Sequence, residues 1–197
     1  MSEGVIELDP GQEVELADAE GKPLARLRMG VGWDKERTAG FIGTGAPDVD
    51  LDATAVQFTG DQLFDIAFYN NLATRDGSVV HQGDNTTGSG TGDDEVITVD
   101  LARVHPPVDT IIFLVSSYQG HSMEWVRNAY CRVVDDETDV ELARFTLTAG
   151  VPETGLVLAK LVRRAAGDGG GWMVEAIGRG IAVTVPSRAV DKLRPFV

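Results

Sequence analysis

Glu95-Val96-Ile97-Thr98-Val99-Asp100-Leu101 alternates residue by residue. Val96, Thr98 and Asp100 fall on one side; Glu95, Ile97, Val99 and Leu101 fall on the other. A period of two places successive side chains on opposite faces of an extended chain, so this stretch reads as a half-buried β-strand. A short distance on, Thr110 to Ser117 (TIIFLVSS) is apolar almost without interruption. That pattern suits a strand buried on both faces.

The same signals recur outward from this pair. Val5 to Leu16 reads as strand, turn and strand, with Pro10-Gly11 as the break. Pro23 to Gly32, Asp48 to Phe58 and Leu63 to Tyr69 read as extended segments. Ala129 to Val134 and Val140 to Leu147 flank an Asp135 to Thr138 turn, and Val157 to Arg164 and Trp172 to Ile177 flank a Gly-rich turn. Both pairs read as hairpins. Lys35 to Pro47 reads as loop, and Met123 to Asn128 as a short helical turn. Asn70 to Gly92 is polar and glycine-rich, with Val79 and Val80 as its only core material. Short strands with turns at close intervals, and no long periodic helix, predict an all-β fold: a two-sheet β-sandwich with short helical turns and long loops. No linker interrupts the 197 residues, so a single domain over 1–197 is expected.

Composition narrows function. The net charge is −14. Such a surface repels phosphates and anionic lipids, which argues against nucleic acid as a partner and leaves cations and basic proteins. No apolar run is long enough to span a membrane, and the MSEGVIELDPGQ start lacks the basic and apolar regions of a signal peptide. The single cysteine, Cys131, forms no internal disulfide and fits a reducing, cytoplasmic setting. In its strand pattern it reads as a core residue. Trp33, Trp125 and Trp172 read as core anchors.

The acids are not spread evenly. Asp48, Asp50 and Asp52 form one cluster, and Asp84, Asn85, Gly92, Asp93, Asp94 and Glu95 belong to a second, with Asn70 and Asn71 between them. Carboxylates, amides and glycine-exposed carbonyls are hard oxygen donors. Ca²⁺ takes about six to eight such ligands, whereas Zn²⁺ prefers His or Cys, and His81, His105 and His121 are scattered singly. Only Arg75 offers a nearby cationic partner. In an extended strand Asp48 and Asp52 lie roughly 13 Å apart, while two oxygens on one Ca²⁺ lie within about 5 Å. Either the segment bends around one ion or it serves two, and the number of carboxylates favours two. The spacing is not that of an EF-hand, because Ala53 and Thr59 stand where that loop needs Gly and Glu. Each segment alone reads as readily as a solvated turn; together they favour metal.

At these residues the chain resembles the TerD family of tellurium-resistance and stress proteins, which includes calcium-binding members. The matching stretches are Val31 to Asp34, Asp48 to Ala53, Phe68 to Leu72, Asp76 to Leu101, Val126 to Asp135 and Glu141 to Leu147. The resemblance runs from about Val5 to Ile181; the 182–197 tail matches poorly, and the Lys35 to Pro47 loop is longer than usual. It implies a β-sandwich with calcium held by Asp48, Asp50, Asp52, Asn70 or Asn71, Asp84, Asn85, Asp93, Asp94 and Glu95, assisted by carbonyls near Gly88 to Gly92. The function so implied is a calcium-dependent binding or scaffold module for partner proteins; a metal-dependent hydrolase and a passive calcium buffer are the alternatives. Ser116, Ser117 and His121 lie close in sequence but lack the Gly-x-Ser-x-Gly setting of a hydrolase nucleophile, so no enzyme is expected.

Overall fold

The computed structural model describes residues 4–34, 49–83, 92–147 and 150–197. Twelve strands run in chain order: β1 (Ile6–Glu7), β2 (Glu13–Glu15), β3 (Arg26–Asp34), β4 (Asp52–Thr59), β5 (Gln62–Ala67), β6 (Val79–His81), β7 (Glu95–Asp100), β8 (Thr110–Ser116), β9 (Arg127–Asp135), β10 (Glu141–Thr146), β11 (Gly155–Arg163) and β12 (Trp172–Ile181). Among the described residues they form two six-stranded sheets, ordered β1-β10-β9-β3-β7-β6 and β2-β12-β11-β8-β4-β5. Every neighbouring pair is antiparallel except β1 with β10.

The alternation along β7 decides its orientation as expected. Glu95, Ile97 and Val99 are buried, and Val96, Thr98 and Asp100 are half-buried. Both expected hairpins form, as β9–β10 and β11–β12. All seven residues of β8 are buried. Ile111, Phe113 and Val115 point into the core between the sheets. Ile112 and Leu114 point the other way, into a second cluster with Val56, Phe58, Val157, Ala189 and Leu193. The lid over that outer face is the C-terminal segment. A 3-10 turn (Pro186–Arg188), the one-turn helix α1 (Val190–Leu193) and a second 3-10 turn (Arg194–Phe196) carry Leu193 onto the sheet, where it is fully buried. An apolar run reads as buried on both faces because something must cover both faces; here the tail does so.

The strand, turn and strand read over Val5 to Leu16 form about Pro10-Gly11, with β1 in one sheet and β2 in the other. Two details depart from the sequence reading. Trp33 and Trp172 are buried, but Trp125 is 45% exposed and anchors no core. The 70–92 stretch contains a strand, β6, which buries Val79 and His81, with Thr74 and Ser78 buried just before it.

Asp76 holds that stretch in place. Its carboxylate accepts from the Thr74 hydroxyl (2.7 Å), Ser78 N–H (3.0 Å), Ser78 hydroxyl (2.9 Å) and His105 N–H (3.0 Å). Burial pushes the group up, and the donors from His105, Ser78 and Thr74 outweigh it, leaving it at about 2. A depressed carboxyl stabilises the fold above its ordinary value of 3.8, and that contribution fades as pH falls through about 2. Asp76→Asn is therefore expected to cost about 1–2 kcal/mol at neutral pH. Urea melts should show the gap between wild type and variant narrowing between pH 4 and pH 2. A gap independent of pH would reject this account.

Candidate metal centre at the acid-bearing loops

The described parts of the two acidic segments, Asp50 to Asp52 and Gly92 to Glu95, are connected through β3. Trp33, near the end of β3, donates its backbone N–H to Asp94 Oδ2 (2.9 Å) and its indole N–H to the Val49 carbonyl (3.3 Å). Asp94 N–H returns a bond to the Val31 carbonyl (2.7 Å). One buried tryptophan thus ties the residue preceding Asp50 to the acidic root of β7.

Asp93, Asp94 and Glu95 are consecutive, and each has a different partner. Asp93 turns onto the outer face of the first sheet. There Arg132 grips both oxygens (2.8 and 3.1 Å), and the Tyr130 hydroxyl donates at 3.1 Å. The pair is possible because β3 carries glycine beneath it: a Cβ at Gly30 would lie 2.0 Å from Asp93 Oδ2. Gly32 does the same for the Tyr130 ring, where a Cβ would fall 2.5 Å from Cζ. The network continues from Arg132 to Glu141 (2.9 Å) and from Glu141 to Arg144 (2.6 Å), whose guanidinium covers the Tyr130 ring at 4.3 Å. Hydrogen bonding to Asp93, which outweighs the lowering by burial, raises Arg132 further above its already high value.

Glu95 turns inward. Its Oε2 lies 2.9 Å from His81 Nε2, and the two side chains are 3% and 1% exposed. His81 Nδ1 accepts from Gly83 N–H (3.1 Å), which leaves Nε2 as the ring nitrogen nearest the carboxylate, close to it but outside hydrogen-bond geometry. Reading the histidines as scattered overlooked this contact. The signal lay in β7: a carboxylate on a face otherwise formed by Ile97, Val99 and Leu101 requires a buried partner. His81 pairs with Ile97 in the antiparallel register, which puts it beside Glu95 on the same face.

The premise that the acids lack protein counter-charge therefore fails at Asp93, while Glu95 faces the buried imidazole of His81. Arg75, the cation nearest in sequence, serves Asp65 instead (3.5 Å). Arg132 was invisible to a local search because it lies 39 residues from Asp93.

Asp52 opens β4, and Asp50 precedes it without being in a strand. Tyr69 lies beside Asp52; its phenol is raised by burial first, then by Asp52 and Tyr118. Asn70 and Asn71 follow in an exposed turn, with Asn71 Nδ2 donating to the Ile66 carbonyl (2.6 Å). The Gly92 carbonyl accepts from the Tyr130 hydroxyl (3.3 Å). Asp48, Asp84 and Asn85 lie outside the described residues, as do Lys35 to Pro47. Among the described residues, no three His, Cys, Asp or Glu side chains group so as to hold an ion.

The remaining candidates are inward-facing. Ser116 and Ser117 are fully buried, and the Ser117 hydroxyl meets the His121 backbone N–H (3.1 Å). Cys131 is buried between the sheets, and burial pushes its thiol up to about 12. No helix among the described residues is long and apolar enough to cross a membrane.

Two facing sheets with acid-bearing loops at one end, anchored by a tryptophan, define the class. The TerD domain family model matches residues 5–187, and the chain belongs to that family. It is 40% identical to the tellurium resistance protein TerZ of Serratia marcescens, over 88% of this chain and 89% of that one. It is 32% identical to stress response protein SCP2 of Bacillus subtilis, over 98% and 99% of the two chains. The fold matches the crystal structure of a TerD homologue, SCO6318 from Streptomyces coelicolor, with a TM-score of 0.67 at 21% identity, covering 85% of this chain and 95% of that one.

Proposed function

We propose that this chain is a calcium-binding, non-catalytic docking module of the tellurium-resistance and stress-response type, acting in the cytoplasm. What supports it most is Trp33, which binds both acidic segments at once and so brings the flanks of Asp50 and Asp94 to one end of the fold. The donor set fits a hard cation. Asp50, Asp52 and Asp94 bring carboxylates, and Asp94 Oδ1 makes no hydrogen bond among the described residues. Asp48, Asp84 and Asn85 would add further oxygens. Asp93 and Glu95 serve a different purpose in this reading. Held by Arg132 and His81, they fix the root of β7 so that Asp94 points at the site. Calcium would supply charge neutralisation to the loops; the chain's own residues supply the rigid frame.

Calorimetric titration with CaCl₂ is expected to give saturable heat. At calcium about a hundred times the Kd, binding adds about 2.7 kcal/mol of stability, or roughly 5–11 °C in Tm for a chain of this size. Asp50→Ala and Asp94→Ala should each abolish most of that rise. Absence of binding heat at millimolar calcium would overturn the reading.

A further inference from the structure

Beside the acidic end lies an apolar cavity of about 280 Å³ that the calcium reading does not use. Val31, Leu51, Val115, Val126, Leu147 and Val151 line it, contributed by both sheets and by the segments that close this end of the sandwich. We infer that this pocket receives one large apolar side chain from a partner segment in which lysine or arginine flanks that anchor. This deepens the docking half of the function proposed above and rests on it.

Size sets the class of occupant. A cavity of about 150 Å³ accommodates benzene, and pockets for drug-sized molecules run from about 300 Å³ upward. The space therefore suits a single aromatic or branched side chain. Charge sets the flanks. Leu51, in the pocket wall, stands between Asp50 and Asp52. Gly150, also in the wall, rests against the backbone of Glu124: a Cβ there would lie 2.8 Å from its Cα. Asp50 and Asp52 are committed to the ion in the reading above, so Glu124 and the net charge of −14 set the flanks, and basic residues are the complement. Trp125, between Met123 and Val126 of the same wall, is 45% exposed. An open indole beside an apolar pocket offers a cationic or aromatic neighbour a face to stack on.

The wall also departs from regular strand geometry. Asn128 has φ 48, and both Asn128 and Ala129 line the pocket. A pleated strand sends adjacent residues to opposite faces. The left-handed residue breaks that alternation, and strain of this kind collects at binding sites. Val126, Asn128 and Ala129 belong to the VRNAY stretch of the family resemblance, and the metal reading gives those three no role.

The probe is the amidated peptide acetyl-Lys-Lys-Phe-Lys-Lys, titrated into methyl-labelled protein and followed by NMR. It is expected to shift the methyls of Leu51, Val126 and Val151 saturably. Replacing its Phe by Ala, or its lysines by glutamates, should weaken binding roughly ten-fold or more. Thr146→Trp, which adds bulk at a lining position, should weaken it likewise with little change in Tm; Val151→Phe serves if that variant fails to fold. No saturable shift of these methyls, or equal shifts with all three peptides, would overturn the inference. Repeating the series with calcium separates the two readings. Calcium heat without peptide shifts sinks the pocket alone. Peptide shifts without calcium heat support the pocket and sink the calcium site.

Discussion

Trp33→Ala is expected to lower stability by about 3–5 kcal/mol, the usual effect of deleting a large buried aromatic, and to abolish measurable calcium binding. The stability loss comes from an 8%-exposed indole that packs in the inter-sheet core. The binding loss comes from position, because without the ring nothing on β3 holds the Val49 carbonyl. Trp33→Phe separates the two effects. It keeps most of the core volume and the backbone N–H that serves Asp94, and removes only the indole donor. A loss of about 1 kcal/mol is expected for that bond, with calcium affinity reduced roughly ten-fold. Urea melts and calorimetry on both variants test this. Wild-type calcium affinity in Trp33→Ala, provided the variant folds, would show that the tryptophan does not organise the site.

Leu193→Ala carries the second large effect, about 2–5 kcal/mol. Leu193 is completely buried against Val56, Phe58, Ile112 and Leu114 on the outer face of the second sheet. The helix around it has a single turn and no side-chain cap, so packing is its main support. Losing the leucine should therefore loosen the whole segment and expose the apolar outer row of β8. Lys192→Ala, an exposed neighbour, is the control and should change stability by less than about 0.5 kcal/mol. Equal, small effects from both substitutions would mean that the tail only rests on the sheet.

The sheets were legible in the sequence because alternation and apolar runs report burial directly: β7, β8 and both hairpins lie where the patterns put them. β6 was hidden because His81 in it and Ser78 just before it are polar side chains whose burial depends on Glu95 and Gln57 elsewhere in the chain. The acids were easy to see and their neighbours were not. Composition counts charges but does not show that Arg132 lies across β3 from Asp93, or that Gly30 leaves space for the contact. Trp125 was misjudged because an aromatic residue is read as core by default, and its short 3-10 turn leaves it on the surface. The C-terminal segment matched no familiar pattern, yet the two-sided hydrophobicity of TIIFLVSS already called for a cover.

β1 pairs with β10 and β2 with β12, so the opening residues of the chain are sewn into opposite sheets by strands that come late in the sequence. On a ribosome that order has a cost. β1 and β2 emerge well before β10 and β12 and settle only when those strands have followed. Once in place, those few residues act as a stitch: prising the two layers apart at that edge means pulling out both ends of a single short thread.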